Sequence, residues 1–208
     1  MFSCLKLLAW IEHQTIVVAD VIILESLAVL LGLIYVTLAA RHNRLAWLAA
    51  FTNTSIYAVL FWQDQLPMQT LLNGYFMLTA IYGWFHWKNN STEETEPVIL
   101  HITRNEHLFF IGLGTISTLI LGYLLDLYAL SQQPYLDTFT TIFAMMNTWL
   151  MLHNKLESWL YWMAIDVINL WLFATTGHEP TLILYSVYIV LSVYGYINWR
   201  KYIKKQNS

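Results

Sequence analysis

Residues 81–88 read Ile81-Tyr82-Gly83-Trp84-Phe85-His86-Trp87-Lys88, and residues 193–201 read Val193-Tyr194-Gly195-Tyr196-Ile197-Asn198-Trp199-Arg200-Lys201. Tyr82, Gly83, Trp87 and Lys88 recur as Tyr194, Gly195, Trp199 and Arg200, 112 positions later (194 − 82). The echo extends upstream at nearly the same interval. His42-Asn43-Arg44 returns as His153-Asn154-Lys155 one residue short of it, and Asn53 and Pro67 return as Asp166 and Pro180 one residue beyond it. A near-constant offset over so many landmarks implies a duplicated unit, and duplicated membrane units build a pathway between their copies.

Composition places the unit in a membrane. Of 208 residues, 58% are apolar and 11% charged, with a mean hydropathy of +0.51, which is far more apolar than a soluble domain. Runs of spanning length fall at about 17–40, 45–62, 66–88, 108–129, 135–153, 157–176 and 181–199. The expected fold is therefore an all-α integral membrane protein of seven transmembrane helices. Residues 1–16 carry Lys6, Glu12 and His13, too mixed for a cleavable signal core, and read as an interfacial lead-in. The single cysteine, Cys4, offers neither a disulfide framework nor a metal spacing.

The basic residues orient the spans. Arg41, Arg44, Lys88, Arg104, Lys155, Arg200, Lys201, Lys204 and Lys205 all fall on one side, leaving only Lys6 of the 10 Lys and Arg on the other. Positive loops stay cytoplasmic, so the amino terminus is expected outside and the carboxyl terminus inside. Two three-span units, 17–88 and 135–199, are each odd in number, and the unmatched span 108–129 turns the chain back between them. The copies are then parallel, a 3+1+3 arrangement about a pseudo-two-fold axis along the membrane normal. Residues 89–107, with Glu93, Glu94 and Glu96, form a solvated cytoplasmic loop, and 200–208 form a basic tail.

No Lys or Arg lies inside a span, whereas Asp20, Glu25, Asp126, Asp137 and Asp166 lie within or at the edge of one. Asp166 is the deepest, about halfway along the sixth span, and has no basic neighbour to neutralise it. Either it is protonated or a cationic ligand supplies the charge. Trp159, Trp162, Asp166 and Asn169 are spaced along one helical face, and indole faces attract flat cations. On the third span Asn73, Met77, Ala80, Trp84 and Trp87 share a stripe, matched on the seventh by Tyr185, Ile189, Ser192, Tyr196 and Trp199. Trp87 and Trp199 sit beside Lys88 and Arg200, where interfacial anchoring is the better explanation. Trp159 lies near that boundary, and Trp162 is open between packing and ligand contact. The candidate substrate-binding set is Asn53, Asn73, Trp84, Trp159, Trp162, Asp166, Asn169 and Tyr185.

The segments Gly74-Tyr75-Phe76 through Tyr82-Gly83-Trp84-Phe85-His86-Trp87, and Glu157-Ser158-Trp159-Leu160-Tyr161-Trp162 through Asp166, resemble the signature regions of the PnuC family of bacterial vitamin transporters. The resemblance covers about residues 20–203. It implies a SWEET-like fold and facilitated diffusion of nicotinamide riboside, an NAD precursor, with trapping by phosphorylation in the cytoplasm. It also implies a ligand site using Trp159, Trp162, Asn53 and Asn73. This chain departs from the family pattern at Asn73 (Gln there), Ala80 (Asn) and Asp166 (Asn). Thiamine, carried by relatives of the family, is likewise a flat heteroaromatic cation and is the alternative substrate.

Other classes fit less well. There is no His-Glu-x-x-His, nucleophile elbow or Walker loop, so no enzymatic activity and no cofactor are expected. A retinal protein needs a lysine in its last span, and 181–199 has none. Proton coupling through Asp166 is the mechanistic rival. The expected partners are the bilayer of the bacterial inner membrane and a small cationic vitamin, with no nucleic acid. A homo-oligomer is compatible with this reading.

Overall fold

The computed structural model describes residues 22–63, 67–89, 98–128, 133–176 and 179–206. The lead-in, Asp20, the turn at Asp64, the Glu93, Glu94 and Glu96 run and the last two residues lie outside them. The described residues form seven helices: α1 (Ile22–Ala40), α2 (Leu45–Gln63), α3 (Pro67–Asn89), α4 (Arg104–Leu127), α5 (Pro134–Leu152), α6 (Ser158–Thr176) and α7 (Glu179–Gln206). By length and apolarity alone, α1, α2 and α4 qualify as membrane spans. Each of the other four buries polar residues: Asn73 and Thr79 on α3, Asn147 and Thr148 on α5, Asp166 on α6 and Ser192 on α7. Large apolar side chains point outward instead, with Leu71, Leu78, Phe109, Ile116, Ile183 and Val190 all more than half exposed. That distribution suits hydrocarbon outside and a polar interior.

The duplication is visible contact by contact. The α1–α2 corner and the α5–α6 corner are closed by the same backbone bonds: His42 N and Asn154 N donate to Ala39 O and Met151 O, and Asn43 N and Lys155 N to Leu38 O and Leu150 O. Each corner turns on a left-handed residue, His42 (φ 52°) and Asn154 (φ 55°), both of types that tolerate that region. These residues are 112 apart and bonded to each other, His42 Nε2 donating to Asn154 Oδ1 at 2.9 Å. The structural offset is thus uniform, and the His-Asn-Arg echo is one residue out of step with it. The same offset sets Thr54, not Asn53, as the counterpart of Asp166.

One tryptophan–glycine contact binds each helix pair, α2 with α3 and α6 with α7. The Trp47 ring lies so close to Gly83 that a β-carbon there would overlap it, and at Gly195 a β-carbon would come within 2.6 Å of Trp159. Trp47 then meets Trp87 edge to face (5.2 Å, 82°), and Trp159 meets Trp199 likewise (5.5 Å, 88°). Trp87 and Trp199 are not interfacial anchors as expected. Both are fully buried, and each reaches into the other half: Trp87 Nε1 donates to Leu152 O at 3.1 Å, and Trp199 Nε1 to Ala39 O at 3.0 Å. The acceptors sit at the ends of α5 and α1: Leu152 O takes the Trp87 indole, and Ala39 O, already bonded to His42 N, takes the Trp199 indole on its second lone pair.

The connections break the symmetry. Residues 98–103 run as a strap along the second corner only: Leu100 N donates to Asn154 O, Leu156 N to Leu100 O, and Ile102 N to Glu157 Oε2, with Ile99 and Ile102 buried beneath. Thr103 and Glu106 then start α4 with a capping box. α4 packs along α5 through Phe110, Gly114, Thr118 and Gly122, the two glycines admitting Phe143 and Tyr135. α7 continues as helix to Gln206, through most of the expected tail.

Gly83→Ala is expected to destabilise the protein by about 1–3 kcal/mol through overpacking against Trp47. Gly74→Ala, where a β-carbon meets nothing within 4 Å, is expected to be neutral or stabilising. Thermal unfolding of both variants in one detergent decides it, and equal shifts would refute the glycine–indole account.

Burial holds the His42 imidazole below its ordinary pKa, only partly offset by its bond to Asn154. A histidine whose folded pKa is lowered takes up its proton more readily when unfolded, so its share of stability is lost as pH falls through about 6.5. His42→Asn, which keeps a residue tolerant of φ > 0, is expected to flatten the decline in Tm between about pH 7.5 and 5.5. An unchanged slope would remove His42 as its source.

Candidate functional site

The basic end of the bundle is sealed. Trp47, Trp87, Trp159 and Trp199 meet there among Ala39, Ala40, Ala46, Met151, Leu152 and Leu156. His42 lies at their centre, stacked on Trp87 (4.2 Å, 10°) and tilted against Trp199 (5.5 Å). The indole N–H groups of Trp47 and Trp159 are buried without a hydrogen-bond partner among the described residues. They form a second matched pair, alike in position and in lacking a partner.

Further along the helices the interior becomes polar. Gly32 of α1 lets α2 and α7 approach: a β-carbon there would lie 2.8 Å from Tyr188 Oη and 3.4 Å from Asn53 Nδ2. Asn53 Nδ2 donates to Ala28 O, which tethers the amide to α1. Tyr188 packs edge to face on Tyr185 (6.1 Å, 82°). Asp166 of α6 is near enough to act electrostatically on both tyrosines, as is Tyr57 of α2. Asp166 is 5% exposed and forms no ion pair among the described residues. Three helices, α2, α6 and α7, thus bring an amide, a carboxylate and three phenols to one interior region beside α1. Such a lining can hydrogen-bond hydroxyls and hold a positive charge.

Of the residues expected from sequence, the structure brings together Asn53, Asp166 and Tyr185. Trp162, one turn before Asp166, is half-buried and packs against both apolar clusters. Asn169 is half-buried on the same helix, and Asn73 is buried on α3, two residues from Tyr75, whose hydroxyl donates to Met145 O of α5. Trp84 and Trp159 lie at the basic end instead. The Arg44 guanidinium sits 5.1 Å over the Trp84 ring, and Trp159 is closed in by Gly195 and Trp199. Sequence reasoning missed Tyr57, Tyr188 and Gly32. The first two follow Asn53 and Tyr185 by four and three residues, one helical turn, and that periodicity was the available signal.

The chain matches the family model described as nicotinamide mononucleotide transporter over residues 22–201. It is similar to the nicotinamide riboside transporter PnuC of Neisseria mucosa, with 26% identity across 88% of this chain and 74% of that one. Against the nicotinamide riboside transporter PnuC of Haemophilus influenzae the identity is 32%, across 67% of this chain and 62% of that one. Its fold is similar to the crystal structure of the vitamin B3 transporter PnuC, with a TM-score of 0.71 and 25% identity, covering 99% of this chain and 93% of that one. Together with the paired tryptophan–glycine contacts and the polar interior between the helices, these matches show that the chain belongs to the nicotinamide mononucleotide transporter family of integral membrane proteins.

Proposed function

We propose that this protein takes up nicotinamide riboside across the bacterial inner membrane by facilitated diffusion, the vitamin being trapped by phosphorylation in the cytoplasm. The observation that carries the reading is Asp166, a buried carboxylate without an ion pair among the described residues, on the helix that packs against α7 with its Tyr185 and Tyr188. A pyridinium ring supplies the charge that the chain does not, and ribose hydroxyls suit Asn53 and the phenols. Trp162 offers a face for stacking one turn below the carboxylate. The names of the relatives favour nicotinamide riboside over thiamine.

In this reading residues 17–88 and 135–199 are parallel repeats about a pseudo-two-fold axis, α4 is the linker of a SWEET-like 3+1+3 fold, and the basic end faces the cytoplasm. The reciprocal bonds of Trp87 and Trp199 support the axis, since each half gives what it receives. With that end sealed, the polar region is reached from outside, and release inward requires the two indole bonds to part. Nothing in the chain supplies an ATP site, so the concentration gradient drives the cycle.

In proteoliposomes, influx of labelled nicotinamide riboside is expected to saturate and to stop at equilibrium with or without a pH gradient. Gradient-driven accumulation would replace facilitated diffusion by proton coupling, and transport of thiamine alone would replace the substrate.

Trp162→Ala is expected to weaken binding by about 1–3 kcal/mol, the scale of an aromatic stack on a base. Trp171→Ala, on the exposed side of the same helix, is expected to leave affinity unchanged. Asp166→Asn should lose about 1–2 kcal/mol for the cationic vitamin, a charge term in a partly wet cavity, and little for a neutral analogue of the same shape. Isothermal titration of the three variants with both ligands tests this. Parallel losses for the cation and the neutral analogue would exclude the carboxylate from recognition.

A further inference from the structure

The two corners differ in one chemically pointed respect. At the seam where α3 meets the end of α5, His86 and His153 face each other with ring centroids 5.2 Å apart and planes inclined by 51°. At the matching seam, one repeat interval away, the equivalent positions hold Asn198 and Arg41, and Asn198 simply donates to Ala40 O at 2.8 Å. The imidazole pair is therefore an addition to one seam and is not needed to close it.

The pair is held in place from several sides. Trp87 and Leu152, joined by the indole–carbonyl bond, immediately flank His86 and His153 in sequence, so that bond sets the distance between the two rings. Tyr82 stacks on His86 (5.4 Å, 21°) and on Trp149 (5.9 Å, 11°), and Trp149 packs on His153 (4.5 Å). The tautomer of His153 follows from its bond: Nδ1 donates to Trp149 O at 2.9 Å, which in the neutral ring leaves the lone pair on Nε2. An imidazole oriented by a backbone carbonyl in this way is the usual support of a metal-bound histidine. Both rings line a cleft of about 600 Å³ that also includes Leu100, Glu106, Trp149 and Lys155. The Lys155 ammonium is neutralised there by Glu106 at 3.0 and 3.1 Å, so it neither repels a cation nor leaves a bare positive charge for an anion.

We infer that His86 and His153 form a binding site for a divalent transition-metal ion of the imidazole-preferring kind, Zn²⁺ or Ni²⁺, which bridges α3 to α5. No group of three or more His, Cys, Asp or Glu side chains is arranged around a metal among the described residues. The donor set is accordingly two imidazoles, with water in the open positions that the cleft has room for. Imidazole donors select such ions over Mg²⁺ and Ca²⁺, which take oxygen ligands. Because the donors belong to two helices, occupancy ties them together, and the ion stabilises the folded chain without regard to what the chain transports.

The test uses the full-length, untagged protein in detergent, with ZnCl₂ as the only added ligand. Titration calorimetry is expected to show one saturable site per chain, and Zn²⁺ to raise Tm in a manner reversed by a chelator. His86→Asn and His153→Arg install the residues that the other seam already uses, which favours their folding. Each is expected to weaken Zn²⁺ binding by more than about tenfold, the scale lost even when only a supporting group of a metal site is removed. His101→Ala, which removes an exposed imidazole bonded to Glu157, is expected to leave binding intact. Absence of saturable Zn²⁺ binding, wild-type affinity in either seam variant, or loss of binding in His101→Ala would overturn the assignment. So would stabilisation by inorganic phosphate in place of Zn²⁺, which would make the cleft an anion site.

Discussion

An indole is a large flat plate, and it can lie against a helix only where the helix has no side chain to hold it off. Gly83 and Gly195 provide that bare backbone, and Trp47 and Trp159 occupy it. From this one contact, made twice, the geometry of the basic end follows. The plates bring α2 onto α3 and α6 onto α7, and they stand Trp87 and Trp199 on edge. So placed, the two indole N–H groups meet carbonyls at the ends of α5 and α1, and the halves are joined by a reciprocal pair of bonds. Both indoles are fully buried, so no water stands ready to take over a released N–H, and these bonds have no cheap substitute.

The rest of the interior answers a different requirement. A bilayer supplies no hydrophobic reward for burying leucine, so the apolar residues face outward and close packing falls to small or polar ones. α4 uses Gly114, Thr118 and Gly122 to approach α5, and Gly32 lets Tyr188 and Asn53 meet across α1. Polar residues inside such a bundle need a partner or a purpose. Thr52, Thr54 and Ser55 bond back to carbonyls of their own helix and are thereby accounted for. Asp166, 5% exposed and without an ion pair among the described residues, is not. That contrast singles out the region around Asp166 from the many other polar groups of the spans.

Duplication supplied two equivalent corners, and later asymmetry lies almost wholly on one of them. The strap of residues 98–103, the α4–α5 packing and the His86–His153 pair all attach to the second corner or its seam. The first corner carries Arg44 over Trp84. Two halves that make the same indole bonds therefore differ in what is fastened to them.

Much was legible in the chain itself. Hydropathy and the recurrence of Tyr-Gly and Trp-Arg/Lys determined seven helices, two related units and the residue types gathered at each helix end, because span length and helical period are local properties. Trp162 and Asp166, on one face of one helix, could be paired for the same reason. What the sequence did not determine was which polar and aromatic residues look inward and at whom. Trp87 and Trp199 read as boundary anchors beside Lys88 and Arg200, yet they are fully buried, since their acceptors lie on helices far away in sequence. The one-residue slip between the His-Asn-Arg echo and the true offset was likewise invisible until φ at His42 and Asn154 marked the turn. Tyr188, Tyr57 and Gly32 joined the site only in three dimensions, where α1, α2 and α7 converge. Period and composition act along one helix, whereas a site between helices depends on rotations and depths that only their mutual packing sets.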